Sequence, residues 1–237
     1  AIVALAAGMY FDGLRLQRLV KIGGYKLSIQ AVLRVIFSNY FMAMLTPGAS
    51  GGAVAQVLVL KSYGVPISKG TPIVLIRTVF SIMFLVIMLP LVFLRDAIEI
   101  PYISRDMLLL FAVLAVIATL LGTYILQTKY MRQFVYNLAQ RFKAHKTKDW
   151  LSKLETLNQG LGLLYKEPIQ SIIVFFESGL SLLCLYCIAP ALMYAFTPDI
   201  PIIDILDRMI LLNLILYFAP TPGGTGIAEG LFVVLFS

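Results

Sequence analysis

The chain has 237 residues, of which 60% are hydrophobic and only 13% charged. Soluble domains sit nearer about 45–50% apolar and about 25% charged, so this composition excludes a soluble globular domain and places the chain in a membrane. The formal charge of +7, from 19 basic and 12 acidic residues, would suggest nucleic acid in a soluble protein. Here the basic residues cluster between apolar runs, which reads as membrane topology, with anionic lipid headgroups and no nucleic acid as the partner.

The apolar runs have helix length, so an all-α bundle is expected rather than a β-barrel. The chain opens inside one apolar run, Ala1 to Ala7, and stops inside another, Leu231 to Phe236. We read residues 1–237 as one transmembrane domain, a fragment with helices missing at both ends. Residues 1–11 end a helix. A basic loop at 12–28 follows, with Arg15, Arg18, Lys21 and Lys26 against Asp12. Spans are expected over 71–94, 107–127 and 168–196, the last with a kink at Pro190. Segment 128–167 is rich in Lys and Arg. Its Tyr130, Phe134, Leu138 and Phe142 recur every four residues, the pattern of an amphipathic connector helix on lipid. The positive-inside rule puts 12–28 and 128–167 in the cytoplasm, and the acid-bearing loops 95–106 and 197–208 outside. Localisation in the cell inner membrane follows.

Region 29–70 must start and end on the cytoplasmic side. Within it, Thr46-Pro47-Gly48-Ala49-Ser50-Gly51-Gly52 divides an apolar stretch, 29–45, from a short one, 53–63. Eleven helical residues span roughly 17 Å, about half the ~30 Å hydrocarbon core. A re-entrant hairpin fits. Near the other end, Thr221-Pro222-Gly223-Gly224-Thr225-Gly226 divides 205–218 from the run at Ile227. That hairpin enters from the opposite face. Two broken helices in corresponding places of two halves mark an inverted repeat and a transport site.

A half-helix starting at the midplane presents free N–H groups and a positive dipole end. Ser50, Gly51 and Gly52 precede one such start; Gly224, Thr225 and Gly226 precede the other. The site suits an anion such as a lipid phosphate; the alternative is that the glycines only let helices pack closely. Four charged residues lie in or near apolar segments. Arg77 is read as binding phosphate or pairing with a glutamate, with snorkelling as the alternative. Glu177 is read as counter-ion or proton carrier, or as the structural partner of an arginine. Glu229 is read as site residue or helix cap. Arg34 is read as interfacial. Cys184 and Cys187 are read as small buried hydrophobes, and His145 as a surface residue. No hydrolase, zinc, Walker or dinucleotide pattern occurs, so no enzyme activity, cofactor or metal is expected.

The run Leu45 to Gly52, then Leu60-Lys61, Gly64 and Arg77, resembles the lysylphosphatidylglycerol synthase transmembrane family, a flippase-like membrane region. Pro220 to Gly230 resembles that family's C-terminal signature, Pro-Gly-Gly-x-Gly-x-x-Glu. Many members carry an acidic residue where Gly52 stands here. The resemblance implies a multi-helix bundle that moves a phospholipid or polyprenyl-type lipid between leaflets. It does not imply lysyl transfer, which belongs to a separate soluble domain in the family. The reading is therefore a lipid translocator binding its ligand at Thr46, Pro47, Gly48, Ser50, Gly51 and Gly52 and at Thr221, Pro222, Gly223, Gly224, Thr225 and Gly226, with Arg77, Glu177 and Glu229. The alternatives are an ion-coupled carrier of a small anion or amino acid, and a non-transporting scaffold. The protein partners compatible with it are a second copy or a lipid-modifying enzyme.

Overall fold

The computed structural model describes residues 1–47, 50–95, 105–126, 162, 167–196 and 200–236. Among these residues it is all-helical, with no strand. The helices are α1 (Ile2–Ile22), α2 (Ile29–Leu45), α3 (Ser50–Ser62), α4 (Ile67–Leu94), α5 (Arg105–Leu126), α6 (Pro168–Tyr186), α7 (Ile188–Met193), α8 (Ile202–Leu216) and α9 (Ile227–Phe236). Two stretches are long and apolar enough to cross a membrane, Ile67–Leu94 and the α6–α7 stretch Pro168–Met193. Helix α5, at 22 residues, is about 33 Å long.

Helix α1 corrects the sequence reading. Residues 12–22 are not loop but the second half of a helix, which ends only at Ile22, before Gly23 and Gly24. The chain turns at Gly24, whose φ of +88° suits a residue without a Cβ. The helix continues because Asp12, Arg15 and Arg18 have partners on other helices and need no water. Ser28 then opens α2, its Oγ accepting from the Ala31 N–H at 3.3 Å. At the other end, α6 stops at Tyr186 and α7 begins at Ile188. Pro190 explains the break, since it offers no N–H to Tyr186 and crowds that carbonyl.

Helices α2 and α3 form an antiparallel hairpin. Arg34, near the start of α2, donates to the Tyr63 hydroxyl just past the end of α3 at 2.8 Å, an exposed contact in keeping with the interfacial reading of Arg34. Helices α8 and α9 also run back along each other, for the Arg208 guanidinium lies 5.4 Å from the Phe236 ring centre. At 13 residues, α3 is about 20 Å long, short of the ~30 Å hydrocarbon core.

The core lies between α1, α2 and α4, where Leu16, Leu19, Val35, Ile36, Ile73 and Val74 are buried. A second cluster joins α4, α6 and α8 through Phe84, Leu85, Leu182 and Ile210. Glycines set the closest approaches. A Cβ on Gly179 of α6 would fall 2.2 Å from Phe84 Cε2 of α4, and one on Gly8 of α1 would fall 2.7 Å from Leu185 Cγ of α6. The Ser181 hydroxyl donates to the Gly8 carbonyl at 3.0 Å. Outward faces are apolar, with Phe37, Phe41 and Met44 on α2 and Leu110, Phe111 and Leu114 on α5 exposed. Apolar surface on this scale calls for lipid rather than water. Cys184 and Cys187 are half-buried free thiols, more open than expected. No group of metal-ligating residues occurs among the described residues. The connector expected over 128–167, with His145, lies outside the described residues but for Gly162 and Glu167.

Candidate functional site

The two breaks come together. Pro47 and Pro222 form an isolated antiparallel bridge. They occupy the same place in the two motifs, each following a threonine and preceding a glycine. Neither proline has an N–H to give to the pairing. Next to the bridge, a Cβ on Gly223 would sit 3.3 Å from the Met44 carbonyl oxygen. Gly223, Gly224 and Gly226 have φ of +60°, +74° and +82°, a left-handed backbone that glycine adopts without strain.

The first tip is closed by its own side chains. Thr46 Oγ1 donates to the Met42 carbonyl at 2.7 Å and accepts the Gly51 N–H at 2.8 Å. Ser50 Oγ donates to the Pro47 carbonyl at 2.9 Å. Gly52 is buried against α2, where a Cβ would lie 2.6 Å from Asn39 Oδ1. The bare glycine is what lets Asn39 reach on to Gln56, whose Nε2 donates to Asn39 Oδ1 at 2.7 Å. Gly48 lies outside the described residues.

From Gln56 the polar chain enters the bundle. Arg77 of α4 is 4% exposed. It donates to Gln56 Oε1 and, from Nε and Nη2, to both oxygens of Asp12, the Nε bond being 3.2 Å. Asp12 is fully buried. Its Oδ1 also accepts from Arg15 Nε at 2.6 Å, and Tyr40 donates to its Oδ2 at 3.4 Å. Arg15 Nη1 donates to Ser81 Oγ at 2.8 Å. One carboxylate thus ties α1 to α4, with α3 and α2 joined through Gln56 and Asn39. Two guanidiniums share it, leaving a surplus positive charge in a low-dielectric setting, where charge is costly.

Glu177 lies beside this cluster rather than in it. It accepts from Arg18 Nη2 at 2.7 Å and Nε at 3.1 Å, while Arg18 Nη1 donates to Gln170 Oε1 at 2.6 Å. At the second tip, Glu229 Oε2 accepts the Gly226 N–H at 2.6 Å, the backward half of a capping box. Thr225 Oγ1 donates to the Pro222 carbonyl at 2.8 Å. Thr221 Oγ1 is buried without a hydrogen-bond partner.

The structure therefore brings the two motifs together at Pro47 and Pro222, with Gly223 against Met44; Thr46 and Gly51 are bonded within the first tip, and Gly226 and Glu229 within the second. It links that junction to Arg77 by two amide side chains, and it leaves Glu177 on a separate ion pair. Sequence reasoning missed Asp12, Arg15, Asn39, Gln56 and Ser81. Two of these had a signal. Asp12 follows Met9-Tyr10-Phe11 with an arginine three residues on, and Gln56 is the one polar side chain between Ala53 and Leu60.

Comparison with curated proteins and with solved structures finds no match. A family model, the lysylphosphatidylglycerol synthase TM region, matches residues 1–237. The chain belongs to that family, and with it to the membrane proteins concerned with lipids.

Proposed function

We propose that this chain is the core of a flippase-like translocator, which moves a phospholipid or polyprenyl-type lipid between leaflets. Both hairpins are re-entrant, enter from opposite faces of the inner membrane and meet at mid-depth. The headgroup phosphate docks on the helix starts at Ser50 and Ile227, within reach of the positive charge centred on Arg77. The acyl tails stay in lipid between the helices. The chain moves its ligand without catalysis.

The observation that carries this reading is the Pro47–Pro222 pairing. Equivalent residues of two segments face each other antiparallel when a twofold rotation relates the segments, and that is the relation inside an inverted repeat. The surplus guanidinium of the Asp12–Arg15–Arg77 cluster supports an anionic headgroup. A buried uncompensated cation is eased by whatever anion reaches it.

The test is leaflet accessibility in proteoliposomes, with fluorescent phospholipids of differing headgroup charge. The unsubstituted chain is expected to move lipids selectively by headgroup, and Arg77→Ala and Glu229→Gln to lose that movement. Wild-type rates in both variants would remove these residues from the site. No movement of any lipid by folded protein would end the flippase reading.

A further inference from the structure

The two tips are built alike, and they differ at one hydrogen bond. Thr46, Pro47, Ser50 and Gly51 correspond to Thr221, Pro222, Thr225 and Gly226. The hydroxyls of Ser50 and Thr225 donate to the carbonyls of Pro47 and Pro222 in the same way. In the first tip the Gly51 N–H goes to the motif's own threonine, Thr46. In the second the equivalent N–H, that of Gly226, goes to Glu229. The equivalent threonine, Thr221, is left with a buried hydroxyl oxygen that has no partner. The first motif has Val54 where the second has Glu229. The motif's own threonine caps this N–H in the first tip, and a glutamate three residues on caps it in the second.

The hairpins also differ in how they are held. The first is fastened to α1 and α4 through Asn39, Gln56, Arg77 and Asp12. The second meets α4 through apolar packing, with Ile210 in one cluster with Phe84 and Leu85, and through a single ion pair, Arg95 with Asp207 at 3.4 Å, the arginine side chain 47% exposed. That bond is beyond the usual range for an N–H donor.

We propose that Thr221 is a stand-by cap. Its hydroxyl takes over the Gly226 N–H when Glu229 leaves it, so the carboxylate meets a cationic group on the ligand while the start of α9 stays satisfied. The exchange belongs to the α8–α9 tip, for the α2–α3 tip has its threonine already engaged. The ligand half of this inference rests on the translocator reading; the exchange of caps does not.

Thermal unfolding of the full chain in detergent tests the exchange through a double-mutant cycle. Thr221→Val is expected to leave Tm at the wild-type value, because the hydroxyl makes no bond in this state. Glu229→Ala alone is expected to lower Tm by less than about 1 °C, since Thr221 takes over. The double variant is expected to fall by about 2–4 °C, the scale of one lost cap in a chain of this size. Should the Val/Ala double not fold, Glu229→Ala alone decides, since without a stand-by cap it shows the full drop by itself. A full drop in Glu229→Ala alone, or strict additivity, would overturn the exchange.

Its use in transport is read in proteoliposomes with a tail-labelled phosphatidylcholine, whose headgroup carries an ammonium. Thr221→Val is expected to slow its movement at least tenfold with Tm unchanged. Wild-type movement in that variant would overturn the exchange as a working step. If the unsubstituted chain moves no lipid, the translocator reading falls, and the unfolding cycle still decides the exchange.

Discussion

Among the described residues, Asp12 is the one carboxylate against Arg15 and Arg77, and the two arginines do not depend on it equally. Removing Asp12 leaves two buried guanidiniums without a counter-ion. Removing Arg77 leaves Asp12 still paired with Arg15 at 2.6 Å. Breaking a buried pair so that charge is stranded costs about 3–5 kcal/mol, whereas losing one of several hydrogen-bond donors costs about 1–3 kcal/mol. Asp12→Ala is therefore expected to be much the less stable variant in thermal unfolding, with Arg77→Ala still folded and fit for transport assays. Equal losses would mean that Arg15 does not hold Asp12 by itself. Arg77 stood out in the sequence because a lone charge in an apolar span is costly without a partner. Its partner did not stand out. Asp12 opens a run of basic residues, and a charge rule applied to that run made it a loop.

At the scale of elements, the same error shows what sequence patterns carry. A helix with Asp12, Arg15 and Arg18 can stay in the bundle only because α4 and α6 bring Ser81, Arg77 and Glu177 against it. Those partners lie 66, 65 and 159 residues away, beyond any local pattern. The broken helices were legible because Pro and Gly act on the backbone where they stand. So were the apolar stretches of α4 and α6, where length and hydropathy suffice. The approach of α6 to α4 was not legible, since nothing in the sequence near Gly179 names Phe84. Gly179→Ala is expected to destabilise by about 1–3 kcal/mol through overpacking against that ring, read by unfolding in detergent. Adding Phe84→Leu is expected to recover part of the loss, and no recovery would place the strain elsewhere.

For the whole molecule, the Pro47–Pro222 bridge is where the two motifs meet, and the proposed translocator predicts that they part there. Paired residues of an antiparallel bridge have Cα atoms about 4.5–5.5 Å apart, within the range a disulfide spans. Pro47→Cys/Pro222→Cys, in a chain with Cys184 and Cys187 replaced by serine, is expected to cross-link on oxidation. Lipid movement is expected to stop in the oxidised protein and return with a thiol reductant. Undiminished movement in fully cross-linked protein would show that the tips need not separate.

The bridge has a further property. A residue that faces its own equivalent makes a self-complementary contact, of the kind two identical subunits share in a symmetric dimer. A shorter chain carrying a single Thr-Pro-Gly turn would have everything this contact requires, provided a second copy met it head to foot. Whatever favours the contact from one side favours it from the other. A change at that turn would then count twice in such a pair and once here, where Thr46 is hydrogen-bonded and Thr221 is not.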